Sequence, residues 1–150
     1  MDRGTDRGFP TPIAAKLTGV SVATLDNWDR RGFLKASVQP AGGHGVSRIY
    51  SFRDLIAIRV AAALRERSID VRNLRRVVEY LRKRKGLDLS ASEVLASTIL
   101  VTDGHDVYEI AGDVFQISTL RRPGQRMLLM VPLDELVAEL QAKARALRAA

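Results

Sequence analysis

The chain has 150 residues, 46% hydrophobic but only 5% aromatic, so it can bury a core made mostly of Leu, Val, Ile and Ala. Its formal net charge is +7, from 24 Lys and Arg against 17 Asp and Glu, and such an excess attracts polyanions, DNA and RNA first among them. With no cysteine, disulfides, thiolate metal sites and thiol redox sensing are excluded; no apolar run approaches the ~20 residues of a membrane span, and no apolar signal core follows Met1, which together point to the cytoplasm.

Residues 1–9 are polar and glycine-containing and read as a flexible tail. A short helix opens at Pro10 or Thr11, with Ile13, Ala14 and Leu17 on one face, and Gly19 stops it. Ser21 then stands as the N-cap of a second helix, on which Val22, Leu25 and Trp28 can share one side, and Gly32 ends it. Residues 33–50 hold Pro40 and three glycines between two short apolar ends, the pattern of a β-hairpin with a loose tip. Ser51 and Asp54 form a capping box, Ser51 capping and Asp54 reaching back, before an apolar-periodic helix carrying Leu55, Ile58, Ala62 and Leu64.

A further helix starts at Asp70, with Val71, Leu74, Val77, Val78 and Leu81 at helical spacing and Lys83, Arg84 and Lys85 suiting its C-terminal dipole before Gly86. Beyond it the character changes. A short helix over 89–95 is followed by β-rich runs at 98–102, 106–110, 114–119 and 126–131, separated by turn pairs such as Asp103-Gly104 and Gly112-Asp113. The chain closes on an amphipathic helix with Leu133, Leu136, Val137, Leu140, Ala144 and Leu147 on one stripe. The basic excess is confined to the first part: residues 1–85 hold 18 of the 24 basic residues and 8 of the 17 acidic ones.

Two helices joined by a tight glycine-containing turn, then a hairpin, then more helix, make a winged helix-turn-helix layout. From Gly19 to Lys35 the sequence GVSVATLDNWDRRGFLK resembles the MerR motif G-V-s-x-x-T-L-R-Y-Y-e-r-x-G-L-L, matching without a gap at Gly19, Val20, Ser21, Thr24, Leu25, Arg30, Gly32 and Leu34. Arg48, Tyr50, Ser51, Asp54 and Leu55 are similar to the pattern that follows in the same family, so the resemblance covers roughly residues 10–85. It implies a MerR-like winged helix-turn-helix over 10–86; with the β-rich runs and amphipathic helix that follow, the chain reads as an α+β protein whose residues 87–150 form a small α+β dimerisation or partner-binding domain.

Departures from the pattern matter. Asp26 stands where the family has a recognition-helix Arg, and Asn27 where it has a Tyr. An Asp facing phosphates is repulsive unless it accepts from a cytosine amine or orients a neighbouring Arg. The wing is lengthened over 39–45, and the family's long dimerisation coiled coil has no counterpart, so its promoter-twisting activation is not carried over. The layout of residues 97–149 resembles the tails of MerR-like antitoxins that pair with PIN-domain toxins.

The expected DNA-contacting residues are Ser21, Thr24, Asn27, Trp28, Arg30, Arg31, Arg48 and Tyr50. Each has a plainer alternative. Ser21 and Thr24 suit a helix cap, Trp28 suits a buried core, and Arg30 and Arg31 suit a solvated helix end. In the DNA-binding reading the arginines, Arg48 on the wing included, take phosphates, while the Asn27 amide can bond an adenine edge. His44 and His105 lie in glycine-rich turns without partner ligands, and Asp103, Asp106, Glu109 and Asp113 fit no metal or catalytic spacing, so neither metal nor cofactor nor enzymatic activity is expected. Ser90, Ser92 and Ser97 have no nucleophile context. Two function readings follow: a sequence-specific regulator binding double-stranded DNA as a homodimer, or an antitoxin whose C-terminal region blocks a toxin partner while DNA binding autoregulates its operon.

Overall fold

The structure is a computed structural model that describes residues 8–40, 47–66, 74, 75, 78, 79, 99–102, 107–110 and 129–149. Phe9, the last residue of the tail expected over 1–9, belongs to the fold. Phe9 and Pro10 form a two-residue strand, β1 (Phe9–Pro10), antiparallel to β2 (Ile49–Tyr50), with Phe9 opposite Tyr50 and Pro10 opposite Ile49. Phe9 is buried, its ring tilted against Phe52 at 6.5 Å. This pairing needs Gly8: its φ is +90°, and an added Cβ would stand 2.6 Å from both Ile49 Cγ2 and the Tyr50 carbonyl oxygen.

Helix α1 (Thr11–Thr18) follows at once, with proline before it and in its first turn, where a missing N–H costs nothing. It ends with the Gly19 N–H donating to the Ala15 carbonyl at 2.9 Å, and the buried Thr18 hydroxyl donates to the Ala14 carbonyl at 2.7 Å. Helix α2 (Val22–Arg30) comes three residues later. Among the described residues, the arms expected to pair as a hairpin over 33–50 meet at one antiparallel bridge, Gln39 to Ile49, steadied by the Gln39 side-chain amide on the Ser47 carbonyl at 2.6 Å. Phe33 and Leu34 turn into the core instead of extending a strand.

The capping box at Ser51 and Asp54 forms as read. Ser51 Oγ accepts from the Asp54 N–H at 3.0 Å, and Asp54 Oδ2 accepts from the Ser51 N–H at 2.9 Å. The same oxygen takes the Ser37 N–H at 2.8 Å and the Ser37 hydroxyl at 2.6 Å, so one buried carboxylate ties the preceding loop to the helix start. Helix α3 (Phe52–Glu66) was expected to bury one stripe; in fact Leu55, Ile56, Ala57, Ile58, Val60, Ala61 and Leu64 all have 0% exposure. A helix apolar on most sides belongs inside a fold. Leu74, Arg75, Val78 and Glu79 are helical, with Leu74 and Val78 in the core; the rest of the helix expected over 70–86, the helix over 89–95 and the strand over 114–119 lie outside the described residues.

Three expected strands are present. β3 (Ile99–Thr102) lies between β4 (Val107–Ile110) and β5 (Leu129–Pro132), antiparallel to both, with Leu100 opposite Glu109 on one side and Val131 on the other. β5 runs directly into helix α4 (Leu133–Ala149), which packs against α1 and α3 and lies beside β3. The stripe of Leu133, Leu136, Val137, Leu140 and Ala144 is buried in one continuous core with Ala14, Leu17, Leu25 and α3, and Leu147 packs at its edge. Glu139 and Lys143 pair at 2.9 Å on the outward face, and that pairing holds the Glu139 carboxyl below its ordinary range.

Because the terminal helix completes the core, Leu140→Ala should cost about 2–5 kcal/mol of global stability. Urea unfolding followed by the fluorescence of Trp28, the single tryptophan and distant in sequence from α4, checks this. The Trp28 midpoint is expected to fall together with the far-ultraviolet dichroism midpoint; an unmoved Trp28 transition would separate α4 from the helix-turn-helix core.

Candidate nucleic-acid interface

The turn between α1 and α2 is built by local chemistry. Ser21 caps α2 by accepting from the Thr24 N–H at 3.1 Å, and its hydroxyl donates to Thr24 Oγ1 at 2.9 Å. At the other end Gly32 takes a left-handed φ of +68°, the Phe33 N–H donates to the Trp28 carbonyl at 2.9 Å, and the Gly32 N–H donates to the Asp29 carbonyl at 3.0 Å. These two bonds define a Schellman end, and its customary apolar contact is present as an edge-on pairing of the Trp28 and Phe33 rings at 5.2 Å. Helix α2 is thus sealed at both ends and held to the core by Leu25 and Trp28.

Its outer face is open and mixed in character. Ser21, Val22, Ala23 and Arg30 are exposed, as is Arg31 just after the helix, while Thr24 and Asn27 are half-buried. Val22, read as sharing the buried side with Leu25 and Trp28, is 42% exposed, because the first residue of the helix projects past the core. The backbone carbonyl of Arg31 accepts from the Arg75 guanidinium at 3.0 Å, which steadies the helix end and leaves the Arg31 side chain outward.

Two expected contact residues lie in the core. Trp28 is 5% exposed, with the Arg65 guanidinium 6.0 Å from its ring centroid on the outer side, and its alternative as a core residue is the one the fold adopts. Tyr50 is fully buried, because its place in β2 turns the ring inward beside Phe9, so it is not available to a nucleic acid. Burial pushes its phenol above the ordinary value of 10.0, opposed by the Arg48 charge and reinforced by Asp29 and Asp54.

Arg48 is engaged within the chain. Its guanidinium forms an ion pair with Asp26, stands 4.0 Å from Asp29 Oδ2, and donates to the Leu25 carbonyl at 3.3 Å, leaving 13% of its side chain exposed. The acidic residue that replaces a family arginine therefore orients a neighbouring one. This arrangement had no signature in the sequence beyond the spacing of Asp26 and Asp29 on one helical face, since Arg48 comes from a distant arm. A cleft between the α1–α2 turn and the end of α3 is lined by Ser21, Thr24, Trp28, Ala62, Arg65 and Glu66 among others. Among the described residues no cluster of three His, Cys, Asp or Glu could hold a metal ion, and no helix is long and apolar enough to cross a membrane. His44, His105, Asp103, Asp106, Asp113, Ser90, Ser92 and Ser97 lie outside the described residues.

Residues 13–46, which take in most of α1, all of α2 and the arm beyond it, match the model of the family described as MerR family regulatory protein. The chain is also 33% identical over 102 residues to an "uncharacterized HTH-type transcriptional regulator" of Mycobacterium bovis, and to the same extent to one of Mycobacterium tuberculosis. The alignment covers 68% of this chain and 43% of each relative, so the chain spans less than half the length of the curated relatives it matches.

The buried tyrosine carries a pH prediction. A phenol whose folded value is raised stays neutral in the native state while the unfolded chain begins to ionise near pH 10, so stability falls as pH rises above 10 toward the raised value and is unaffected by this group below it. Tyr50→Phe should preserve packing and flatten that alkaline loss. Urea midpoints at pH 7 and pH 11 test it; an equal alkaline loss in both proteins would remove Tyr50 as its source.

Proposed function

We propose, from the match of residues 13–46 to the MerR family model, that this chain is a sequence-specific DNA-binding transcriptional regulator. The observation that carries the reading is the open outer face of α2, a helix sealed at both ends and braced by α1, on a chain with net charge +7. An α-helix fits the major groove, and a helix anchored on its apolar side by Leu25 and Trp28 can turn its open side to base edges. In this reading Asn27 addresses a base, Arg30 and Arg31 take backbone phosphates, and Ser21 and Thr24 sit where the helix start meets the duplex. The arms joined at Gln39 and Ile49 form the wing, and Arg48 ties that wing to α2.

A single helix reads only a few base pairs, so the protein binds a two-fold site as a dimer. Sedimentation of the full chain should show a dimer at micromolar concentration; a monomer that still binds an operator tightly would remove this part. In the alternative reading, an antitoxin, the toxin would have to be held elsewhere than on the apolar stripe of α4, because Leu133, Leu136, Val137 and Leu140 lie within this chain's own core.

DNA affinity should fall steeply with salt, because each phosphate neutralised releases counterions. Arg30→Ala and Arg31→Ala should each reduce the salt slope by about one while weakening all duplexes alike. Asn27→Ala should instead lower discrimination at one or two base pairs by roughly 1–3 kcal/mol with little change in slope. Genome-wide capture with purified protein supplies the operator, and fluorescence anisotropy on it, on single-base variants and on mixed-sequence DNA makes the measurement. A salt-independent response, or no duplex captured, would sink the DNA-binding reading.

A further inference from the structure

We propose that Asp26 is a specificity-determining residue of the α2 surface: by holding Arg48 in an ion pair it withholds one cation from the phosphate backbone, so that binding depends more on fit in the groove than on charge. The inference rests on the DNA-binding reading and deepens it. Asp26 lies on the half-open side of α2, its side chain 42% exposed, in the middle of the helix assigned to the groove. Arg48 reaches it from the returning arm beside β2 and is only 13% exposed, with a second carboxylate, Asp29, at 4.0 Å and the Leu25 carbonyl at 3.3 Å. A guanidinium binds phosphate strongly through its paired N–H fork. Here that fork is already directed at Asp26, Asp29 and a main-chain carbonyl, so the one arginine that the wing brings to α2 is neutralised where a phosphate would otherwise compete for it.

Asp26 is 42% exposed, so water competes for its side of the pair, while Arg48 is 13% exposed. The effect of the pair on a polyanion follows from charge, because every freed cation adds to sequence-independent affinity and to the salt slope. Removing Asp26 both deletes a repulsive charge and frees the Nη2 side of the Arg48 guanidinium, with Asp29 at 4.0 Å and the Leu25 carbonyl left on Nη1, and both changes raise affinity for any duplex without improving the fit to one. Arg30 and Arg31 remain outward as phosphate ligands, so the surface stays cationic with the clamp in place.

The test uses the full chain with Asp26→Ala, Arg48→Ala and the double variant, titrated against a mixed-sequence duplex by fluorescence anisotropy across a salt series. Base preference is read in parallel by selection from a random-sequence duplex library. Asp26→Ala should bind mixed-sequence DNA several-fold tighter, steepen the salt slope by about one, and enrich a less defined sequence. Arg48→Ala alone should leave the slope unchanged, and in the double variant it should cancel the steepening. An unchanged slope in Asp26→Ala, a loss of mixed-sequence affinity, or a slope flattened by Arg48→Ala alone would overturn the proposal, the last by showing that Arg48 already touches phosphate. Asp26→Glu, which keeps the pair, should behave as the parent. Trp28-monitored melting checks folding, and if Asp26→Ala does not fold, the slope of Arg48→Ala alone decides. A parent protein that binds no duplex sinks the DNA-binding reading itself; a parent with a clear salt slope and variants that match it sinks only this inference.

Discussion

A helix that is apolar around most of its circumference must be enclosed, and α3 imposes that requirement on everything else. Seven of its residues have no exposed surface, so no single neighbour can cover it. Helix α1 packs on one side, β2 lies at its start, and α4, from the far end of the chain, packs on another. The segment that matches the MerR family, residues 13–46, contains neither α3 nor α4. The matched segment is therefore a short pair of helices mounted on an enclosed third, and its position depends on residues of α4, far along the chain. Burial of a Leu or Val side chain is worth roughly 1.5–3 kcal/mol, so the five buried residues of the α4 stripe represent a large share of what a domain of this size needs.

Two carboxylates organise the polar side of the same region. Asp54 gathers the Ser37 N–H, the Ser37 hydroxyl and the Ser51 N–H onto one oxygen, which fixes the loop after α2 to the first turn of α3. Asp26 holds Arg48 and so fixes the returning arm to α2 itself. The two differ in their surroundings. Asp54 is 1% exposed, and donors left unpaired in such a place would cost about 1–3 kcal/mol each, so it acts on the fold. Asp26 is open to solvent, where water competes with the pair, so its influence falls on the charge that the surface presents. Helix α2 and its flanking arm are thereby held in one relative placement, the rigidity that the proposed reading of base pairs requires.

Much of the fold was legible in sequence because it is written in local signals. Gly19, Ser21 and Gly32 mark helix ends whose bonds span only a few residues, and the Ser51–Asp54 box lies wholly within one turn. Three of the four expected β runs, read from β-rich composition and turn pairs, are strands, the fourth lying outside the described residues; the terminal helix was read from periodicity, and the MerR resemblance followed from an ungapped motif around α2. The strand β1 was missed because two residues carry no period, and the hairpin over 33–50 was overread because its apolar ends, Phe33 and Leu34, serve the core and not a ladder. Of the expected contact residues, Trp28 and Tyr50 are aromatic, a type that suits a buried core as well as a nucleic-acid surface, and composition cannot say which.

By itself, the sequence determined the kind of protein: a basic, cysteine-free chain with a helix-turn-helix whose caps and turns are encoded within a few residues of where they act. Tertiary structure alone decided which side chains that surface offers. Whether Arg48 meets a phosphate or a carboxylate, whether Tyr50 faces outward or inward, and whether the stripe of α4 is open or covered all depend on contacts between residues far apart in the chain. Such contacts are set by how the enclosed helix α3 is covered, and no local pattern of spacing or charge records that.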